Sequence, residues 1–213
     1  MRLPLAELFQ FVIAISNRFN IDESHSLGHS MRVLYNADLI SREESRWTLP
    51  PTILDVQTPI IQAAAILHDT CDNKYREEGS ALLEVGDFLS TWMSPEETKA
   101  TVDIISKMSY SKVIKTGIPD LREYQTAFNI VREADLLDAY DFDRSMIYHM
   151  NRNGKNLEEA YDNACALFEN RVLKHYEHGL LTTRYAKNAH YVLAENAIKR
   201  MHHWNKIIKR SKR

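Results

Sequence analysis

Apolar residues return every three or four positions along most of this chain. Leu5, Leu8, Phe9, Val12, Ile13 and Phe19 keep that spacing and predict a first helix. Asn20 to Ser24 interrupts it as a turn. Ser24 or Ser26 can cap a second helix that carries His29, Arg32, Val33, Tyr35, Asn36 and Leu39. From Ser41 to Thr58 the sequence is polar and contains Pro50 and Pro51, with Pro59 just beyond. It is expected to be a loop insertion, long enough to cover a cleft. Residues 59–68 are apolar on every side, which predicts a buried central helix.

Further helices are expected over residues 80–89 and from Ser94 to about Met108. The second opens with a strong start signal: Ser as cap, Pro at the first helical position and Glu97 three residues after the cap. Ser109 to Lys112 leads into a loop with Gly117 and Pro119. Helices are then expected around 124–136 and 138–150. Asn156 opens a long one to about His178, with Gly179 as its stop, and Thr182 or Thr183 caps a last one to about Ile208.

Composition agrees with this pattern. The 213 residues suit one domain, spanning 1–213, with a site-bearing core over about 22–150, C-terminal helices over about 156–208 and a basic tail at 209–213. Hydrophobic residues make up 44% and charged residues 26%, enough for a packed core. Six Gly and six Pro are too few for the turns of a β-sandwich or barrel, so the expected class is all-α.

A net charge of −2 gives no general nucleic-acid-binding surface. The exception is the end of the chain, where Lys199, Arg200, Lys206, Lys209, Arg210, Lys212 and Arg213 follow Glu195 with no acid between them. Such cations suit the C-terminal end of a helix. Two cysteines, Cys71 and Cys165, form no disulfide framework and fit a reducing, cytoplasmic setting. No apolar run approaches membrane-spanning length, and no signal peptide is read at the start. Long helices with exposed Tyr and Met permit a homodimer without requiring one.

The candidate chemistry begins at His68-Asp69, at the end of the apolar run. Adjacent imidazole and carboxylate groups offer one metal ion two ligands. His29 lies upstream and Asp135 downstream, in the apolar setting Ala134-Asp135-Leu136-Leu137, where an unpaired charge is costly. Taken singly, each residue has an ordinary structural role available. Taken together, two neutral nitrogens and two carboxylates neutralise one divalent ion. With no thiolate in the set, they suit Mn²⁺, Fe²⁺, Co²⁺, Ni²⁺ or Mg²⁺ with positions open to water and substrate. Such an ion binds a phosphoryl oxygen, acidifies a water and holds both in line. Asp72 is placed to handle a proton, and Lys74, Arg32, His25, Lys112 and Arg144 are candidates for contacting phosphate. Asp138, Asp141 and Asp143 are read as helix-start or ion-pair residues, and His202 and His203 as surface residues.

Three segments resemble HD-domain metal-dependent phosphohydrolases. His25-Ser26-Leu27-Gly28-His29-Ser30-Met31-Arg32-Val33 is similar to that family's His-x-x-x-His-x-x-Arg-Val helix. His68-Asp69-Thr70-Cys71-Asp72-Asn73-Lys74 resembles its His-Asp-x-x-Asp-x-Lys segment, and Ile130 to Ala139 resembles its third block. The small bacterial-type hydrolases of that family are the nearest in pattern. The resemblance implies a compact HD-type helical bundle with added C-terminal helices, and metal ligands at His29, His68, Asp69 and Asp135. It also implies roles in catalysis or phosphate binding for Asp72 and Lys74. One departure is Leu136, where that branch usually carries Arg. The expected activity is hydrolysis of a phosphate ester or anhydride of a nucleotide-like small molecule. The alternative is a catalytically silent metal- and nucleotide-binding domain that acts as a sensor or scaffold.

Overall fold

A computed structural model describes residues 3–47 and 51–211, leaving the side chains of 51–53 and 211 undescribed. The described residues form ten α-helices and no strand: α1 (Leu5–Phe19), α2 (Leu27–Trp47), α3 (Pro51–Leu67), α4 (Glu78–Leu89), α5 (Pro95–Lys107), α6 (Tyr110–Thr116), α7 (Gln125–Asp138), α8 (Phe142–Asn153), α9 (Leu157–Asn170) and α10 (Arg184–Ser211). The all-α expectation holds. No helix among the described residues is long and apolar enough to cross a membrane.

Helix ends follow from side-chain chemistry. Asn20 takes a left-handed conformation and closes α1. The Ser94 hydroxyl accepts the Glu97 N–H while the Glu97 carboxylate accepts the Ser94 N–H, the reciprocal pair the sequence predicts. Thr183 caps α10, accepting the Ala186 N–H at 3.2 Å. At α2 the Ser26 hydroxyl faces back to the Glu23 carbonyl, and the Ser26 carbonyl receives the Ser30 N–H.

The stretch from Ser41 to Thr58 is a correction. Its described residues are helical, as the end of α2 and the start of α3; residues 48–50, including Pro50, lie outside the described residues. The polar face that suggested a loop is a solvated helix face, tied by Arg42–Asp38 and Arg46–Glu43 ion pairs. Pro51 sits at the first position of α3, where its missing N–H costs nothing. No described residue of this stretch lines the cleft below. Two further differences matter. A short helix, α6, precedes Gly117, and the long helix expected from 157 to 178 breaks at Arg171 (φ −134°, ψ −65°) before a 3-10 turn at Val172–Lys174.

The core centres on α2, α3 and α7. Val33, Ala37 and Ile40 of α2 meet Ile60 to Leu67 of α3 and Phe128, Ile130, Val131 and Ala134 of α7. A second cluster joins α8, α9 and α10 through Phe142, Met146, Ala164, Phe168, Ala197 and Met201. Leu193 of α10 packs against both. The expected surface positions His202 and His203 are exposed, and Met146 is core. Lys212 and Arg213 lie outside the described residues.

Candidate metal centre

The end of α3 creates the site. An α-helix leaves its last carbonyls without intrahelical partners. Here the Thr70 hydroxyl donates to the Leu67 carbonyl at 2.6 Å, and His68 Nδ1 lies 3.0 Å from the Ala65 carbonyl. The chain tightens into a 3-10 turn at His68–Cys71, which turns both His68 and Asp69 toward α2 and α7. His29 comes from the first turns of α2, and Asp135 from α7. These two helices are joined beside the site by Asn36 Nδ2, which donates to the Ala134 carbonyl at 3.2 Å.

The four residues singled out as ligands converge. His29 Nε2 lies 3.0 Å from His68 Nε2, 3.1 Å from Asp69 Oδ2 and 3.4 Å from Asp135 Oδ1. His68 Nε2 lies 3.3 Å from Asp69 Oδ1 and 3.8 Å from Asp135 Oδ1. His29, His68 and Asp135 form a group whose ligand atoms all lie within 4.8 Å of one another and could hold a metal ion; Asp69 borders it. Ligand atoms about 2.1 Å from one ion sit about 3.0 Å apart at neighbouring octahedral positions and about 3.4 Å apart in a tetrahedron. Four of the five separations fall in that range, and the His68–Asp135 distance of 3.8 Å exceeds it.

Hydrogen bonding explains why the group wants a cation. His29 Nδ1 lies 2.7 Å from Asp138 Oδ2, and a carboxylate can only accept, so that nitrogen carries the proton. His68 Nδ1 likewise donates to the Ala65 carbonyl. With both Nδ1 protons engaged, the two Nε2 atoms face each other across 3.0 Å, beside two carboxylates. Asp69 Oδ2 is buried and meets no hydrogen-bond criterion among the described residues. Positive charge at the centre relieves all of these contacts. The titration tendencies agree. Burial and the Arg144 charge disfavour the His29 imidazolium, but Asp69, Asp135 and Asp138 outweigh them and lift its pKa to about 10. Burial alone would raise Asp69 and Asp135, yet the neighbouring imidazoles hold both carboxyls well below the usual range.

Asp138, expected from sequence to be a helix-start or ion-pair residue, forms ion pairs and does more. Besides His29 it accepts from Arg32 Nε (2.7 Å) and Arg144 Nη1 (3.0 Å), and it is almost fully buried. It fixes the His29 ring in the arrangement usual for metal-bound histidines. Its signal was available: Asp138 is one helical turn from Asp135 and so shares its face. Asp141 caps α8 through the Arg144 N–H, and Asp143 pairs with Arg200, as read.

A cavity of about 300 Å³ opens on the centre, lined by His68, Asp69 and Asp135. His25, Asp72, Lys74, Lys112 and Arg144 line it too. Lys74 Nζ pairs with Asp72 Oδ2 at 2.9 Å, and Lys112 pairs with Glu78. Arg32 is committed to Asp138 and lines neither this cavity nor the one beside it. His25 is braced from behind: its Nδ1 lies 2.6 Å from the Ser24 hydroxyl, which donates to Asp22. Its Nε2 faces Lys74 Nζ at 3.5 Å. Cys71 is buried, and burial raises its thiol to about 11, so it is an inert packing thiol. Comparison of the chain with family models, with curated proteins and with solved structures finds no match.

Proposed function

We propose that this chain is a metal-dependent phosphohydrolase that cleaves a phosphate ester or anhydride of a nucleotide-like molecule. The observation that carries the proposal is the convergence of His29, His68, Asp69 and Asp135, with both Nδ1 protons already engaged behind the rings. The three sequence blocks that resemble HD-domain phosphohydrolases contribute these same residues, which supports the reaction class. A divalent cation bound there supplies charge neutralisation at phosphorus and makes a water nucleophilic near neutral pH.

The surrounding residues have separable tasks. Lys74 and Arg144 present cations to the cavity and stabilise phosphoryl oxygens as negative charge builds. Asp72 holds Lys74 in place through its carboxylate and accepts the Lys74 backbone N–H at 2.9 Å. Both Asp72 oxygens are thereby engaged, so His25 is better placed than Asp72 to move a proton. With Nδ1 held by Ser24, its Nε2 is the atom that meets substrate.

The test is a nucleotide panel assayed with Mn²⁺-loaded protein, with released phosphate and pyrophosphate read separately. Asp69→Ala is expected to lose turnover by about a hundred- to thousandfold, because it removes a ligand of the ion that stabilises the transition state. Wild-type-like activity in that variant would contradict the proposal. Nucleotide binding with neither product released would establish the silent sensor instead.

A further inference from the structure

Three cations of the cleft have carboxylate partners: Lys74 with Asp72, Lys112 with Glu78, and Arg144 with Asp138. Arg171 differs. No ion pair or side-chain hydrogen bond engages its guanidinium among the described residues. Its Nε is buried with no partner, and its Cζ stacks 3.9 Å above the Tyr110 ring. A half-buried, uncompensated guanidinium is costly unless something anionic meets it. Burial pulls its pKa down, and the nearby Asp135 charge only partly offsets this. The chain leaves helical geometry at this residue, and its side chain turns into the cleft.

Arg171 also stands at a junction. Beside the metal-side cavity lies a second one of about 410 Å³, and the two share His25, Lys74, Ala139, Arg144 and Arg171 as walls. The far chamber is closed by Tyr148, His149, Leu167 and Val172. Among the described residues, two of its buried polar atoms, Ser145 Oγ and His149 Nε2, have no hydrogen-bond partner. An occupant that spans both cavities needs negative charge in the middle. At the far end it needs a flat, largely apolar group with a few hydrogen-bonding atoms.

We infer that Arg171 is a substrate-binding residue that anchors a phosphate group at this junction, and that the far chamber receives the ring-bearing organic part of a phosphorylated substrate. The inference rests on the phosphohydrolase reading for the orientation of the ligand. A guanidinium offers two parallel donors to phosphate, which a lysine at the same place cannot.

Calorimetric titration of Mn²⁺-loaded protein with inorganic pyrophosphate and with ATP tests it without requiring turnover. Arg171→Gln should weaken both probes at least tenfold while leaving Mn²⁺ affinity within twofold, which also reports an intact site. Arg171→Lys should recover part of the pyrophosphate affinity. Asn163→Trp, at an exposed position on the rim of the far chamber, should weaken ATP about fivefold or more and leave pyrophosphate unchanged. Arg171→Gln binding both probes like the wild type would overturn the anchor. Equal weakening of both probes in Asn163→Trp would overturn the chamber assignment. If wild type binds both probes in this pattern without hydrolysing any nucleotide, the hydrolase reading fails and the binding inference stands.

Discussion

Asp138 shows how a residue can govern the centre without touching it. It accepts from the back of His29 and is itself held by Arg32 and Arg144, so the ring has one orientation and one tautomer. Asp138→Asn keeps the shape but removes the charge that three donors share. The expected result is a 10- to 100-fold loss of Mn²⁺ affinity, the usual range for such partners, measured by direct titration. Unchanged affinity would mean that His29 is not a ligand. At this scale the sequence was legible where polar residues sat in apolar helical surroundings, as His29, His68, Asp69 and Asp135 do. It was illegible where the role depends on distant geometry. Leu136 marked a missing cation, and only the fold brings Arg171, from the end of α9, to the same cavity wall. Arg32, one turn from His29, looked equally well placed for phosphate but is taken by Asp138.

Helix α7 carries both Asp135 and the clamp that holds α10. Glu133, fully buried, accepts hydrogen bonds from the backbone N–H and hydroxyl groups of both Thr182 and Thr183 and from Arg132. Arg132 in turn donates to the Leu180 carbonyl. Glu133→Ala leaves a buried guanidinium and four donors without a counterpart. It is expected to cost about 3–5 kcal/mol, read as a lower urea midpoint. A loss below about 1 kcal/mol would show that the clamp is not structural. The existence of most helices followed from apolar spacing, and the α5 start from its capping box. The failures were at boundaries set by context. Solvated, ion-paired turns of α2 resemble a loop in sequence, and the break at Arg171 has no Gly or Pro to announce it.

Over the whole molecule, the α8–α10 cluster borders the cleft, and beside it a buried imidazole, His175, lies between the Tyr110 and Tyr140 rings. Neither ring nitrogen has a hydrogen-bond partner among the described residues. Burial, helped by Arg171, lowers its pKa to about 3. Below its ordinary value of about 6.5 the unfolded chain takes up a proton that the folded ring refuses. Stability from this group is therefore complete above about pH 6.5 and falls by roughly 1.4 kcal/mol per unit as pH drops toward 3. His175→Leu should flatten that part of the stability profile between pH 6.5 and 4.5, measured by urea unfolding at each pH. An identical slope in the variant would refute the assignment.

The whole account depends on one cation among side chains drawn from α2, α7 and the turn after α3. The most direct measurement is anomalous scattering from a crystal grown with Mn²⁺. A single strong peak about 2.1–2.3 Å from His29 Nε2, His68 Nε2 and Asp135 Oδ1, with Asp69 also in contact, is the expected result. Bound manganese located elsewhere, with the two imidazoles still facing each other across an ion-free gap, would contradict it.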